Sequence, residues 1–132
     1  MLSVRTIVNS RLKKKLKTEE NAPYHGKILD FVETKQKAPT TFPTLLVDSL
    51  GEPSTADDLM HKSQNAIIST IELKAYSNKT LTEARSIMDK AGDVMLSMGY
   101  SLIYGPEDIS DTYKIIVARF RRVVGGGDVK NL

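Results

Sequence analysis

The sequence predicts a single α+β domain, a largely antiparallel sheet with two helices packed on one face, in the order α-β-β-β-α-β-β. Three observations carry this. An apolar stripe with helical spacing opens the chain, and a second lies between clear start and stop signals over residues 80–99. Residues 67–76 and 113–124 instead alternate with period two, as half-buried strands do. At 132 residues the chain is one domain's worth, long enough to bury a core without staples.

The first helix is expected over residues 3–17. Val4, Val8, Leu12 and Leu16 recur every four residues, with Ile7 widening the stripe and Ser3 placed as N-cap. Arg11, Lys13, Lys14, Lys15 and Lys17 gather where a helix dipole favours cations. A turn cluster at 21–26 follows. Ile28, Leu29, Phe31 and Val32 then suit a short strand, and Phe42 to Val47 a second, with Pro43 at its start where a missing N–H does least harm.

Residues 48–65 are polar and carry Gly51, Pro53, Ser54, Thr55, Asp57 and Asp58. A connection of that length is usually functional, and an arm touching a neighbouring subunit is one use for it. Its acidic spacing fits no EF-hand. Next comes the alternation of Ile67, Ser69, Ile71, Leu73 and Ala75 with Ile68, Thr70, Glu72, Lys74 and Tyr76.

Thr80-Leu81-Thr82-Glu83 has capping-box spacing, with Glu83 expected to reach back to Thr80. Ala84, Ile87, Met88, Ala91, Met95 and Met98 share one face, which reads as a helix packed on a sheet, and Gly99 suits a left-handed C-terminal residue. A strand at 100–104 and a turn at Gly105-Pro106-Glu107-Asp108 lead to the last strand. There Tyr113, Ile115, Val117, Arg119, Arg121 and Val123 share a face, and Ile116, Ala118, Phe120 and Val124 dominate the other. Two apolar faces point to a central strand covered on both sides. The domain is thus expected over residues 1–124, with 125–132 a flexible Gly-rich tail.

Composition narrows the chemistry. The chain has no cysteine, which leaves no disulfide, thiol catalyst or thiolate metal site, and only His25 and His61 as imidazoles. The longest apolar run, Ile115-Ile116-Val117-Ala118, is far short of a membrane span, so no membrane role is expected. Walker A, nucleophile-elbow and dinucleotide glycine motifs are absent from the sequence. No catalytic, cofactor-binding or metal-binding residue is nominated, and a non-enzymatic protein without cofactor is expected.

Net charge is +3, but it is segregated: +5 over residues 1–40, −6 over 41–111 and +4 over 112–132. Such a chain can bind nucleic acid through Lys13–Lys17 and Arg119–Arg122, or set its positive face against the negative face of another copy. A small basic nucleic-acid-binding protein is therefore one reading of the residues.

The order of elements, with Phe42-Pro43-Thr44-Leu45-Leu46-Val47 before an acidic loop, Thr70-Ile71-Glu72-Leu73-Lys74-Ala75-Tyr76-Ser77, Glu83-Ala84, Met98-Gly99-Tyr100 and Tyr113-Lys114-Ile115-Ile116-Val117-Ala118-Arg119-Phe120-Arg121, supports a second. Over residues 40–124 the chain resembles the tail terminator, or tail completion, proteins of long-tailed bacteriophages. That resemblance implies a virion protein of the tail and neck, assembled in the host cytoplasm. Such proteins form a ring, commonly a homohexamer, that caps the tail tube, stops its polymerisation and joins the tail to the head connector. The partners it implies are other copies of the chain, the tube protein and the head-completion protein, with DNA traversing the lumen without sequence readout. A head-to-tail ring needs two unlike patches per subunit. The interface candidates are Arg119, Arg121 and Arg122, set against Asp48, Glu52, Asp57 and Asp58 of a neighbour.

Overall fold

In the computed structural model, which describes residues 4–33, 41–50 and 67–124, the expected elements appear in the expected order. Helix α1 covers Val4–Lys13 and runs into one π-helical turn, Lys14–Thr18, where the Glu19 N–H donates to the Lys14 carbonyl at 3.0 Å. The wide turn suits the sequence. Apolar residues spaced by four run ahead of a 3.6-residue turn by about 40° per step, and a turn closed by longer-range bonds takes up the excess. Val4, Val8, Leu12 and Leu16 are all buried, each such side chain contributing about 2 kcal/mol. The proposed cap, Ser3, lies outside the described residues.

Strands β1 (Asp30–Val32), β2 (Thr44–Leu50) and β3 (Ile67–Ser77) precede helix α2 (Leu81–Ser97), and β4 (Ser101–Asp108) and β5 (Lys114–Val124) follow it. They form one five-stranded sheet in the order β1-β2-β3-β5-β4. Only β1 and β2 pair in parallel; the other three ladders are antiparallel. Pro43 immediately precedes β2, as its missing donor requires.

The structure corrects the sequence expectation at Gly105-Pro106-Glu107-Asp108. These residues do not turn. They continue β4 through two register shifts against β5, and Pro106 is tolerated because β4 is an edge strand. Gly105 has φ +77°, and a Cβ there would strike the Val117 carbonyl, so a bulge at this point requires glycine. The chain reverses afterwards. Ser110 N–H donates to the Asp108 carboxylate at 2.9 Å, and Ile109 N–H to the Ile115 carbonyl at 2.9 Å.

Helix α2 begins and ends much as its sequence dictates. Glu83 N–H donates to Thr80 Oγ1 at 3.1 Å. The reciprocal half of the expected box is relayed: the buried Ser77 hydroxyl donates to Glu83 Oε1 at 2.6 Å and accepts from Thr80 N–H at 3.3 Å. At the other end Gly99, at φ +87°, donates to the Leu96 carbonyl and Tyr100 to the Met95 carbonyl, a complete Schellman closure.

Both helices lie on one face of the sheet. Val8, Leu12 and Leu16 of the first and Ile87, Met88, Ala91 and Met95 of the second pack over Leu45, Val47, Ile71, Leu73, Ala75, Ile116, Ala118 and Phe120. The methionine stripe is core. The opposite face is polar yet also largely buried in its middle, where Thr44, Leu46, Asp48, Glu72 and Val117 are each under 9% exposed. Strand β5 is thus interior in the sheet, but it is not covered on both sides as expected: on the face away from the helices only Val117 is buried, while Arg119, Arg121 and Val123 are exposed, because both helices pack on the other face.

Candidate subunit interface

The second face of the sheet brings together residues far apart in sequence. Cross-strand register places Asp48 of β2 opposite Glu72 of β3, Glu72 opposite Arg119 of β5, and Arg119 opposite Tyr104 of β4, one row across four strands. Two carboxylates directly opposite each other repel, and cations bracket them. Arg119 Nε donates to Glu72 Oε2 at 2.8 Å, Lys74 Nζ lies 3.8 Å from Glu72 Oε1, and an Arg5 guanidinium nitrogen lies 3.8 Å from Asp48 Oδ1. The Arg119 guanidinium also stacks over the Tyr104 ring, 5.1 Å from its centroid. On the same face burial, aided by the Glu72 charge, raises the Tyr76 phenol above its ordinary pKa.

The sequence-nominated residues therefore separate. Arg119 and Asp48 belong to this row and each has an ion-pair partner within its own chain. Arg122 lies on the helix face, where it donates to the Met98 carbonyl at 2.8 Å and lies against Gly99. Arg121 is exposed, opposite Thr70 and Ser101. Glu52, Asp57 and Asp58 fall outside the described residues, as do the rest of the 51–66 connection and the 125–132 tail.

Sequence reasoning did not single out the apolar surface around β4. Leu102, Ile103 and Tyr104 are 45%, 43% and 42% exposed, and Ile109 just beyond them 39%. Leu102 pairs with Phe120, and Gly92 of α2 lies over the Phe120 ring. Leu96 follows Gly92 by one helical turn and is 55% exposed, so it and Leu102 flank Phe120. The signal was present: Leu102-Ile103-Tyr104 is apolar without alternation, which a strand with one solvated face does not need.

The lysine run at the end of α1 is partly engaged inside the chain. Lys15 lies 3.4 Å from Glu19, and Lys17 Nζ donates to the Leu29 carbonyl at 3.0 Å, which leaves Lys13 and Lys14 as the exposed members. His25 Nδ1 sits 3.2 Å from the Lys17 carbonyl. Among the described residues no group of three His, Cys, Asp or Glu side chains could hold a metal, and no helix is long and apolar enough to cross a membrane. A shallow depression of about 160 Å³ lies between Ser77, Asn78, Thr112, Tyr113 and Lys114. It is smaller than usual small-molecule sites.

What fold and surface define is a single α+β domain whose edge strand carries exposed apolar side chains. Compared with known proteins, the chain matches no family model and no curated protein.

Proposed function

We propose that this chain is a non-enzymatic virion assembly protein, a ring-forming tail terminator that caps the tail tube and joins the tail to the head connector. The observation that supports an assembly role is the β4 surface. Leu102, Ile103 and Tyr104 are exposed on the edge strand, as are Leu96 of α2 and Ile109 beyond the strand, and exposed apolar side chains on an edge unpaired among the described residues are a protein-binding feature. The tail-terminator assignment itself rests on the sequence resemblance over residues 40–124. The nucleic-acid reading has less to draw on, since Lys15, Lys17, Arg119 and Arg122 are each hydrogen-bonded or ion-paired within the chain.

Native mass spectrometry across concentration and salt tests the reading. A discrete species of about 88 kDa, six times the 14.7 kDa chain, without bound DNA is the expected result. A monomer at every concentration overturns it. A salt-labile complex with duplex DNA and no ring would favour the nucleic-acid binder instead.

A further inference from the structure

On the sheet face away from the helices, β5 carries two exposed arginines two residues apart, and they are held differently. Arg119 donates through Nε to the buried Glu72 carboxylate at 2.8 Å, and its guanidinium stacks over the Tyr104 ring. Those two contacts fix the group in place. They leave its two terminal nitrogens without a hydrogen-bond partner among the described residues. Arg121 has neither an ion pair nor a hydrogen bond among the described residues.

The register shows what surrounds them. One strand repeat beyond Arg119, about 6.6 Å along β5, Arg121 lies between Thr70 of β3 and Ser101 of β4. The repeat after that sets Ile68 opposite Val123, both exposed. On this face Arg5, Lys74, Arg119 and Arg121 meet the carboxylates of Asp48, Glu72 and Glu107, which leaves one positive charge in excess. One carboxylate balances it. A nucleic-acid backbone brings a charge with every nucleotide and calls for cations in series. Here the face runs into Glu107 beside Val117 in one direction and into Ile68 and Val123 in the other. Arginine and tyrosine framed by apolar side chains are instead the composition of a protein-contact hot spot.

We propose that Arg119 and Arg121 form a carboxylate-binding site on the open face of the sheet. Its occupant is a protein segment that presents an Asp or Glu side chain to the two guanidinium groups and an adjacent apolar side chain to Ile68 and Val123. Arg119 is the pre-organised half, because Glu72 and Tyr104 have already restricted its side chain before the ligand arrives. Arg121 supplies the uncompensated charge. The inference goes beyond the ring reading and stands apart from it, since any segment of that chemistry fills the site.

The probe is the dipeptide N-acetyl-leucyl-glutamate amide, titrated into the full chain while NMR follows the arginine Nε–H signals. Saturable shifts at Arg119 and Arg121 are expected, and the isosteric N-acetyl-leucyl-glutamine amide should produce none. Arg121→Gln, at an exposed position, should keep the wild-type circular dichroism and weaken binding about tenfold or more. Arg119→Lys keeps a cation for Glu72 but lacks the two terminal nitrogens, so it should stay folded and lose the shift at Arg121. Equal response to the glutamine peptide, or no saturable shift at all, overturns the site. So does unchanged binding by Arg121→Gln. Inorganic phosphate or a thymidine oligonucleotide saturating the same signals at lower concentration than the glutamate peptide would assign the face to phosphate and overturn the carboxylate reading.

Discussion

Arg119 on β5 and Glu72 at the directly opposite position on β3 are joined by a 2.8 Å charge-assisted hydrogen bond. The Glu72 side chain is only 4% exposed, whereas that of Arg119 is 45% exposed. The carboxylate is therefore the costly member of the pair, and the arginine is what makes its burial tolerable. Asp48 opposite Glu72 adds to that demand.

Removing Arg119 should accordingly harm the fold more than losing an ordinary surface charge. Arg119→Met is expected to destabilise the chain by about 2 kcal/mol, since it strips the bonded partner from a buried carboxylate. Glu72→Gln placed on top should recover part of that loss. Urea denaturation of the two single variants and the double variant measures the coupling. Additive losses would mean that the pair does not act as a unit.

Ser77 and Thr80 share the start of α2, and their roles differ. Thr80→Ala removes one N-cap acceptor, an effect of about 1 kcal/mol. Ser77→Ala removes an acceptor for Lys79 N–H and Thr80 N–H together with the donor to Glu83. The lost hydroxyl is fully buried, so the expected loss is larger, about 2 kcal/mol. Thermal melts of the two variants under one buffer give the order, and Thr80→Ala proving the more damaging would remove Ser77 from the cap.

Much of this architecture is legible in local pattern. The stripe Val4, Val8, Leu12, Leu16, the alternation through Ile71, Leu73 and Ala75, and the Met98-Gly99 stop each follow from one element's own geometry. So does the placement of Arg119 and Arg121 on one face of β5. What pattern does not carry is pairing between elements. Nothing within Asp30–Val32 says that it runs parallel to β2, and nothing near Glu83 says that its carboxylate goes to Ser77 rather than to Thr80. Gly105-Pro106 reads as a turn because the same residues serve turns and edge bulges; only the approach of the Val117 carbonyl separates the two. The partners of Arg119, Arg122 and Asp48 were likewise hidden, because Glu72, the Met98 carbonyl and Arg5 become neighbours only through the sheet order.

Acid titration should find Asp108 ionised to unusually low pH. The Ser110 hydroxyl and backbone N–H hold its carboxyl below the ordinary value, with smaller help from Arg85 and Lys114. A folded pKa below the unfolded one gives a stabilising contribution that is present above the ordinary carboxylate pKa and is lost as pH falls through the folded value. Ser110→Ala should move the Asp108 titration, followed by carboxyl-carbon NMR, upward toward an ordinary aspartate. No movement would assign the shift to the Ser110 backbone N–H and the cations, and not to the hydroxyl. Tyr76 has the opposite sign: its raised pKa favours the fold below the ordinary phenol value, and that contribution is lost as pH rises through the folded one.

Two glycines with nearly the same backbone should respond very differently to alanine. Gly26 and Gly105 have φ of +74° and +77°, so each substitution carries the left-handed penalty of about 1 to 2 kcal/mol. Around Gly26 nothing lies within 4 Å of the added Cβ, and Gly26→Ala should lose little more than that. At Gly105 the new Cβ would strike the Val117 carbonyl and sit 3.2 Å from Ala118 Cα and 3.0 Å from Glu107 N. All three are backbone atoms, two of them in an interior strand, so they cannot step aside cheaply. Gly105→Ala is expected to cost about 3 kcal/mol or more and to loosen β4 from β5, which amide hydrogen exchange at Tyr104 and Glu107 would report as faster opening. Equal losses at the two positions would show that β4 yields at its bulge. In that case Gly105 would serve the turn conformation alone and not the close approach of the two strands.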